Sequence, residues 1–227
     1  MSVTGIALVP ASPMLISGMT GQTPPPDEVW RPVLLAIGEM LNAQPEIVIV
    51  IAEGAHDEVF EDHTSLNLRR LGGMRDDSVN GRELPIPLAI GAALLQDAGW
   101  HGPIECHAVA TNASMLAKRI ASDPRNVGLL LLANGSACSS VAAPGSLHPE
   151  AHHFNTDFLE FLRSPSEPQP SRLGQVACAD QLSDAFGPLQ VYGSVTSDLA
   201  VASNLTVRIR YADEFRGVFL VCASALP

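Results

Sequence analysis

The sequence predicts an α/β fold, in which a single domain has a mostly parallel central sheet flanked by helices and an antiparallel C-terminal hairpin at the sheet edge. Short apolar runs at Glu46–Ala52 and Val127–Leu132 are typical of buried parallel strands, and they alternate with segments whose apolar residues recur at helical spacing. Near the C-terminus, Leu205–Tyr211 and Gly217–Ala223 alternate apolar and polar residues around a turn predicted at Asp213–Arg216, which indicates a hairpin.

The first half of the chain supplies most of the predicted strands. Val3–Val9 is an apolar run that Pro10 ends, and Asp27–Asn42 carries apolar residues at helical spacing directly after three prolines, as at a helix start. Glu46–Ala52 is β-branched and uninterrupted, so it is predicted as a central strand. The segments that follow are predicted as a strand at His63–Leu68, a glycine-containing loop at Gly72–Glu83, a helix at Pro87–Gly99, a strand at Glu105–Ala108 and a helix at Ser114–Ser122.

The second half is predicted to be mainly helical before the hairpin. Pro149–Arg163 has helical periodicity and stops at the proline-rich stretch Ser164–Ser171. Gln175–Phe186 is predicted as a helix, whereas the pattern of Leu189–Ser203 fits either a helix or a strand. Because no repeat and no second-domain linker interrupts this order, residues 1–227 are predicted to form one domain.

Composition excludes several classes of function. The formal net charge of −11 argues against nucleic acid or an anionic membrane as a partner. No apolar run approaches the roughly 20 residues that span a bilayer. Two prolines interrupt the apolar N-terminal stretch, so no signal peptide is expected and a cytoplasmic location is predicted. The four cysteines lack CxxC spacing, which favours reduced thiols: Cys106, Cys138, Cys178 and Cys222.

Candidate functional residues follow the two central strands. Val127–Leu132 runs into a small polar turn whose pocket candidates are Asn134 and Ser136, because open α/β folds bind ligands at the carboxyl ends of their strands. Glu46–Ala52 leads to Glu53, His56 and His63, and two histidines with a carboxylate are the ligand set of a non-haem iron site. An acidic surface loop is the alternative interpretation of this second group.

Two other patterns are weaker. His148 and His152 stand four residues apart, as zinc ligands on one helix face do, but HPEAHH departs from the HExxH order. Pro149 suits the first turn of a helix, so solvated histidines at a helix start are favoured. Ser136 lacks the G-x-S-x-G context of a nucleophile elbow, which leaves a metal-free hydrolase as a third, weaker option.

Four segments together resemble a known family. Leu8–Leu15 (LVPASPML), Glu46–Ala55 (EIVIVIAEGA), Leu132–Ala137 (LANGSA) and Ala143–Phe161 resemble in order and spacing the LigB-like superfamily, which includes the catalytic subunit of class III extradiol ring-cleavage dioxygenases. The match is strongest to a bacterial branch of proteins that are similar to this catalytic subunit. The resemblance implies a mostly parallel α/β fold and, in active members, Fe(II) held by two histidines and a glutamate, with a further histidine as acid–base catalyst. It also implies a second copy or a different subunit as partner.

The metal site of the family does not transfer onto this sequence. The two ligand histidines would fall at Ala11 and Gly54, and the catalytic histidine at Ala137. The late glutamate would lie in Gln175–Asp184, which contains no glutamate and offers Gln181. Alanine and glycine side chains have no lone pair with which to ligate iron.

The resemblance therefore favours a pseudoenzyme that has lost the Fe(II) site, needs no cofactor, and acts as a binding module for a small aromatic molecule or a protein. The alternative is a divergent Fe(II) extradiol dioxygenase acting on a catecholic substrate, with the metal held in a rebuilt site by Glu53, His56 and His63.

Overall fold

A computed structural model describes residues 3–16, 24–60, 83–165, 169–202 and 205–227. Within these ranges the sheet has seven strands in the order β3-β4-β2-β5-β1-β7-β6. The strands are β1 (Val3–Val9), β2 (Ile47–Glu53), β3 (Glu58–Phe60), β4 (Ile104–Val109), β5 (Val127–Leu132), β6 (Thr206–Phe215) and β7 (Val218–Leu226). The helices are α1 (Asp27–Asn42), α2 (Ile86–Asp97), α3 (Ala113–Ala121), α4 (Ala151–Arg163), α5 (Gln175–Asp180) and α6 (Phe186–Ala202).

The centre of the sheet is parallel, which confirms the predicted fold class. Strand β5 pairs in parallel with β1 on one side and with β2 on the other, and β2 pairs in parallel with β4. Every residue of β5 is buried, because helices cover both faces of the sheet. This burial explains why Val127–Leu132 is apolar throughout, with no alternation of polar residues.

The two faces of the sheet form separate hydrophobic layers. Alternate residues of each strand point to opposite faces, so Ile49 packs in one layer and Val50 in the other. Helices α3, α4 and α6 cover the face of Ile49, with buried residues that include Phe158 and Tyr192. Helices α1 and α2 cover the opposite face, where Ile37 is among the fully buried side chains.

The C-terminal hairpin is longer than the sequence indicates. Strands β6 and β7 pair antiparallel, and their ladder continues to Phe215–Val218, so the turn lies at Arg216 and Gly217 and not at the predicted Asp213–Arg216. Both turn residues have positive φ, 52° and 83°, as a two-residue turn that matches the twist of a hairpin requires. Asp213 and Glu214 are exposed strand residues, and their polarity made them resemble a turn.

Three further elements differ from the expectation. Strand β3 pairs antiparallel with β4 at the second sheet edge, where no strand was predicted. The predicted strand His63–Leu68 and the loop Gly72–Glu83, apart from Glu83, lie outside the described residues. The single helix predicted at Gln175–Phe186 is divided, because Leu182 has a positive φ of 50° that ends α5, and α6 then begins at Phe186.

Within the described part of the chain, no helix combines the length and the apolar character needed to cross a membrane.

Candidate functional site

The carboxyl ends of β1, β2 and β5 lie at one edge of the sheet, because these strands run parallel. Ala11 follows β1, Gly54 follows β2 and Ala137 lies in the turn after β5. The resemblance places the imidazoles of the family at these three positions. The fold therefore puts all three at the edge where an open α/β protein binds its ligand.

Gly54 has no space for an imidazole, and Ala137 lies in a turn whose backbone is hydrogen-bonded on both sides. A Cβ atom on Gly54 would lie 2.7 Å from Cβ of Ala108 and 2.9 Å from the carbonyl oxygen of His56. Ala137 is buried, its N–H donates to the carbonyl oxygen of Gln181 (2.9 Å), and its own carbonyl accepts from the N–H of Gly145 (3.0 Å). The end of β2 is therefore closed by packing at a position where an iron ligand would be needed.

Ser136 belongs to a buried hydrogen-bond network. Its side chain is fully buried, its Oγ donates to Oε1 of Gln181 (2.7 Å), and the same Oγ accepts from the N–H of Cys138 (2.9 Å). A serine held in this way is inaccessible to a substrate, so the geometry disfavours the hydrolase option. The structure brings together Ser136 and Gln181, two of the residues that the sequence singled out.

The backbone N–H of Glu150 determines which groups donate and which accept in this network. Nδ1 of His148 is contacted by the N–H of Glu150 (3.2 Å) and by the amide of Gln181 (2.8 Å). Because a backbone N–H can only donate, Nδ1 must accept, and Gln181 must present its Nε2 to it. Oε1 of Gln181 then faces Ser136, which donates its proton. The imidazole of His148 consequently carries its proton on Nε2.

Asn155 is a site residue that sequence reasoning missed. It lies on α4, is only 7% exposed, accepts from the N–H of Ser136 (2.9 Å) and donates to Oγ of Ser139 (3.2 Å). A signal was present in the sequence, because Asn155 shares the helical spacing of Phe158 and Leu162 on the apolar face of α4. An amide on such a face must find partners, and here they are in the turn after β5.

Three polar side chains gather at the ends of β2 and β5. Glu53 accepts a hydrogen bond on Oε2 from the N–H of Gly187 at the start of α6. Burial raises the pKa of Glu53 to about 7, and the negative charges of Asp184 and Asp57 add to this effect. Asp184 accepts from the N–H of Asn134 (2.6 Å) and from its Nδ2 (3.0 Å), but burial still raises the pKa of Asp184 to about 6.

Asn134, a predicted pocket residue, keeps one acceptor unused. Its backbone carbonyl oxygen accepts from Oγ of Ser183 (2.6 Å). Its side-chain Oδ1 is buried and has no hydrogen-bond partner among the described residues. A buried oxygen without a donor costs free energy. Because Oδ1 of Asn134 is enclosed by protein, the acceptor that this edge offers to a ligand is the carboxyl group of Glu53, which is only partly buried.

The other candidate metal ligands are dispersed. His56 is exposed, and His63 lies outside the described residues. The pair His148 and His152 does not share a helix face, since α4 begins at Ala151, and the two side chains line different cavities. Over the ranges that the structure describes, no group of three or more His, Cys, Asp or Glu side chains is placed to hold a metal ion. The four cysteines are buried, and they are not joined to one another by disulfide bonds.

The fold and the polar strand ends define an open α/β protein with a candidate ligand site at the carboxyl edge of its parallel strands. No protein-family model matches the chain, and no curated protein matches it. A solved structure described as that of the uncharacterized protein JW3007 from Escherichia coli K12 has a similar fold, with a TM-score of 0.56 and 13% sequence identity. The similarity covers 99% of this chain and 100% of the other, so the two share one architecture over their whole length.

Proposed function

We propose that this chain is a metal-independent binding module built on a fold that resembles the catalytic subunit of class III extradiol dioxygenases. One observation carries the proposal: the three strand-end positions that would supply imidazoles are Ala11, Gly54 and Ala137, and any side chain at Gly54 would collide with Ala108. The strand ends can still bind a small molecule, but they lack the donor set of a facial iron triad.

The ligand is a small aromatic molecule that bears hydroxyl groups. Supporting this choice, the partly buried carboxyl group of Glu53 is an acceptor at this edge, and Gly187 donates its N–H to Oε2 of that group. A phenolic hydroxyl can donate a further hydrogen bond to such a group. Neutral or singly ionised phenols also suit a protein with a net charge of −11 better than polyanions do.

The competing function is a divergent Fe(II) extradiol dioxygenase that acts on a catechol. It is favoured by the position of Glu53 and His56, which both follow the core of β2 at this edge, and it requires His63 as a third ligand. The two functions differ in whether the chain binds iron.

Metal analysis separates them. The chain is loaded anaerobically with Fe(II), desalted and quantified, and oxygen uptake is followed with a panel of catechols. The binding module predicts background iron and no uptake. Near-stoichiometric iron that His56→Ala abolishes would overturn it in favour of the dioxygenase. His101→Ala, which removes another exposed histidine, is the matched control.

Ligand binding is tested separately in EDTA without oxygen. Catechol and phenol are expected to raise the melting temperature, whereas veratrole, the dimethyl ether of catechol, has no hydroxyl donor and leaves it unchanged. Glu53→Gln is expected to weaken catechol binding by about tenfold, because a charge-assisted hydrogen bond is lost. No shift with any hydroxylated aromatic would overturn the small-molecule part of the proposal.

The resemblance also implies assembly with a second copy or a different subunit. A second copy predicts a light-scattering mass of twice 24.0 kDa for the purified chain. A monomeric mass across the micromolar range would exclude the second copy and leave a different subunit as the partner.

A further inference from the structure

A cavity of about 170 Å³, away from the strand ends, lies between α4 and α5 and is lined by side chains of both charges. From its lining we infer that this cavity binds a small zwitterion of the amino-acid class, with its carboxylate toward His148 and Arg172 and its ammonium group toward Asp157. The ligand and the residues differ from those of the strand-end site, so the inference goes beyond the proposed function.

The donors of the cavity suit a carboxylate. Both contacts to Nδ1 of His148 are donors, so Nε2 is the nitrogen of this ring that can donate, and His148 is among the residues that line the cavity. Arg172 also lines the cavity, its side chain is 69% exposed, and its ion pair with Asp157 is long, at 3.6 Å between NH1 and Oδ2. A guanidinium group held so loosely retains donors for a carboxylate, which it binds in a bidentate manner.

The acceptor of the cavity suits an ammonium group. Oδ2 of Asp157 is buried and has no hydrogen-bond partner among the described residues, and its separation from Arg172 exceeds hydrogen-bond length. The long ion pair with Arg172 compensates this oxygen only in part, and 22% of the Asp157 side chain is exposed, so the carboxylate can still face a cation in the cavity. An ammonium group supplies up to three donors and an opposite charge.

The remaining lining limits the size and charge of the ligand. Phe154 and Ala177 provide an apolar wall, and the volume suits a short side chain and not a peptide. Glu150 and Asp180 add negative charge, so carboxylates outnumber Arg172 around the cavity. A simple anion is therefore repelled, whereas a zwitterion uses both kinds of group.

The experiment uses the full chain and the twenty common amino acids, each titrated by isothermal calorimetry. At least one is expected to bind, and its decarboxylated amine and its deaminated acid are expected to bind at least about tenfold more weakly, because each lacks one ion pair. Asp157→Asn and Arg172→Gln should each weaken binding by about tenfold or more. Glu160→Gln and Arg163→Gln, which alter exposed charges of α4 outside the cavity, should leave it unchanged.

Binding of no amino acid would overturn the inference, and so would wild-type affinity in both cavity variants. Circular dichroism checks whether each variant is folded. If Asp157→Asn unfolds, wild-type affinity in Arg172→Gln alone overturns the inference, because that variant changes an exposed side chain. The two sites can be tested independently. Amino-acid binding should persist in Glu53→Gln, and the increase in melting temperature with catechol should persist in Asp157→Asn.

Discussion

Replacing Glu53 by glutamine is expected to stabilise the protein above neutral pH and to leave its stability nearly unchanged at pH 5. Glutamine has the same shape, and its Oε1 can still accept the hydrogen bond from the N–H of Gly187. The substitution therefore removes the ionisation of the side chain while it retains the contact between the end of β2 and the start of α6.

The magnitude follows from the pKa of Glu53, which burial raises from 4.5 to about 7. A carboxyl group with a raised pKa binds its proton more tightly in the folded state, so the free energy of unfolding falls as pH rises from 4.5 to 7. Above pH 7, the ionised Glu53 destabilises the folded state by its full amount. For a fully buried carboxyl group, such a shift would lower the free energy of unfolding by about 3 kcal/mol. Since Glu53 is partly exposed, we expect a loss of about 2 kcal/mol.

The assay is urea unfolding followed by circular dichroism at half-unit steps from pH 5 to pH 8. The difference between Glu53→Gln and the wild type should grow through this range and level off above pH 7. The same substitution at the exposed Glu160 is the control and should give a flat difference. A Glu53→Gln difference that does not vary with pH, or a variant less stable at pH 8, would refute the reasoning.

Two further substitutions test the packing of glycines, and a third tests an ion pair. Gly54→Ala should destabilise the protein by about 1–3 kcal/mol in urea unfolding at pH 7, because its Cβ would overlap Ala108. Gly38→Ala should stabilise it by about 0.5–1 kcal/mol in the same assay, since this helical glycine has nothing within 4 Å of an added Cβ. Equal effects of these two changes would contradict the packing argument. Glu39→Gln should cost about 2 kcal/mol at pH 7, because hydrogen bonds from Arg210 and its neighbours lower the pKa of Glu39 to about 2. That loss should fade as pH falls from 4.5 towards 2, and a loss that persists at pH 2 would exclude the ion pair as its cause.

Regular elements were predictable where local pattern and tertiary burial agree. Val3–Val9 and Asp27–Asn42 have the predicted bounds, and the apolar run at Val127–Leu132 is the buried β5. The pattern failed where exposure and turn geometry dominate. Strand β3 has only three residues and an exposed Val59, so nothing in its sequence distinguishes it from a loop.

The candidate site was predictable only in part. The polar turn with Asn134 and Ser136 was visible, because small polar residues follow a buried strand. Asp184 was not, because its contact with Asn134 spans 50 residues and depends on where α5 ends. Asn155 gave a weak signal on an apolar helix face, but its partner Ser136 could not be named from spacing.

The sequence by itself determined most of the strands and helices, the burial of the central strands, and the absence of imidazoles at positions 11, 54 and 137. These are local or compositional properties, and residues adjacent in the chain carry them. Only the tertiary structure decided that Gly54 has no space for a side chain, that Ser136 is buried behind Gln181, and that Oδ2 of Asp157 receives no hydrogen bond from the described residues. Such properties depend on which distant backbone atoms come within a few ångströms, and side-chain periodicity contains no information about that distance.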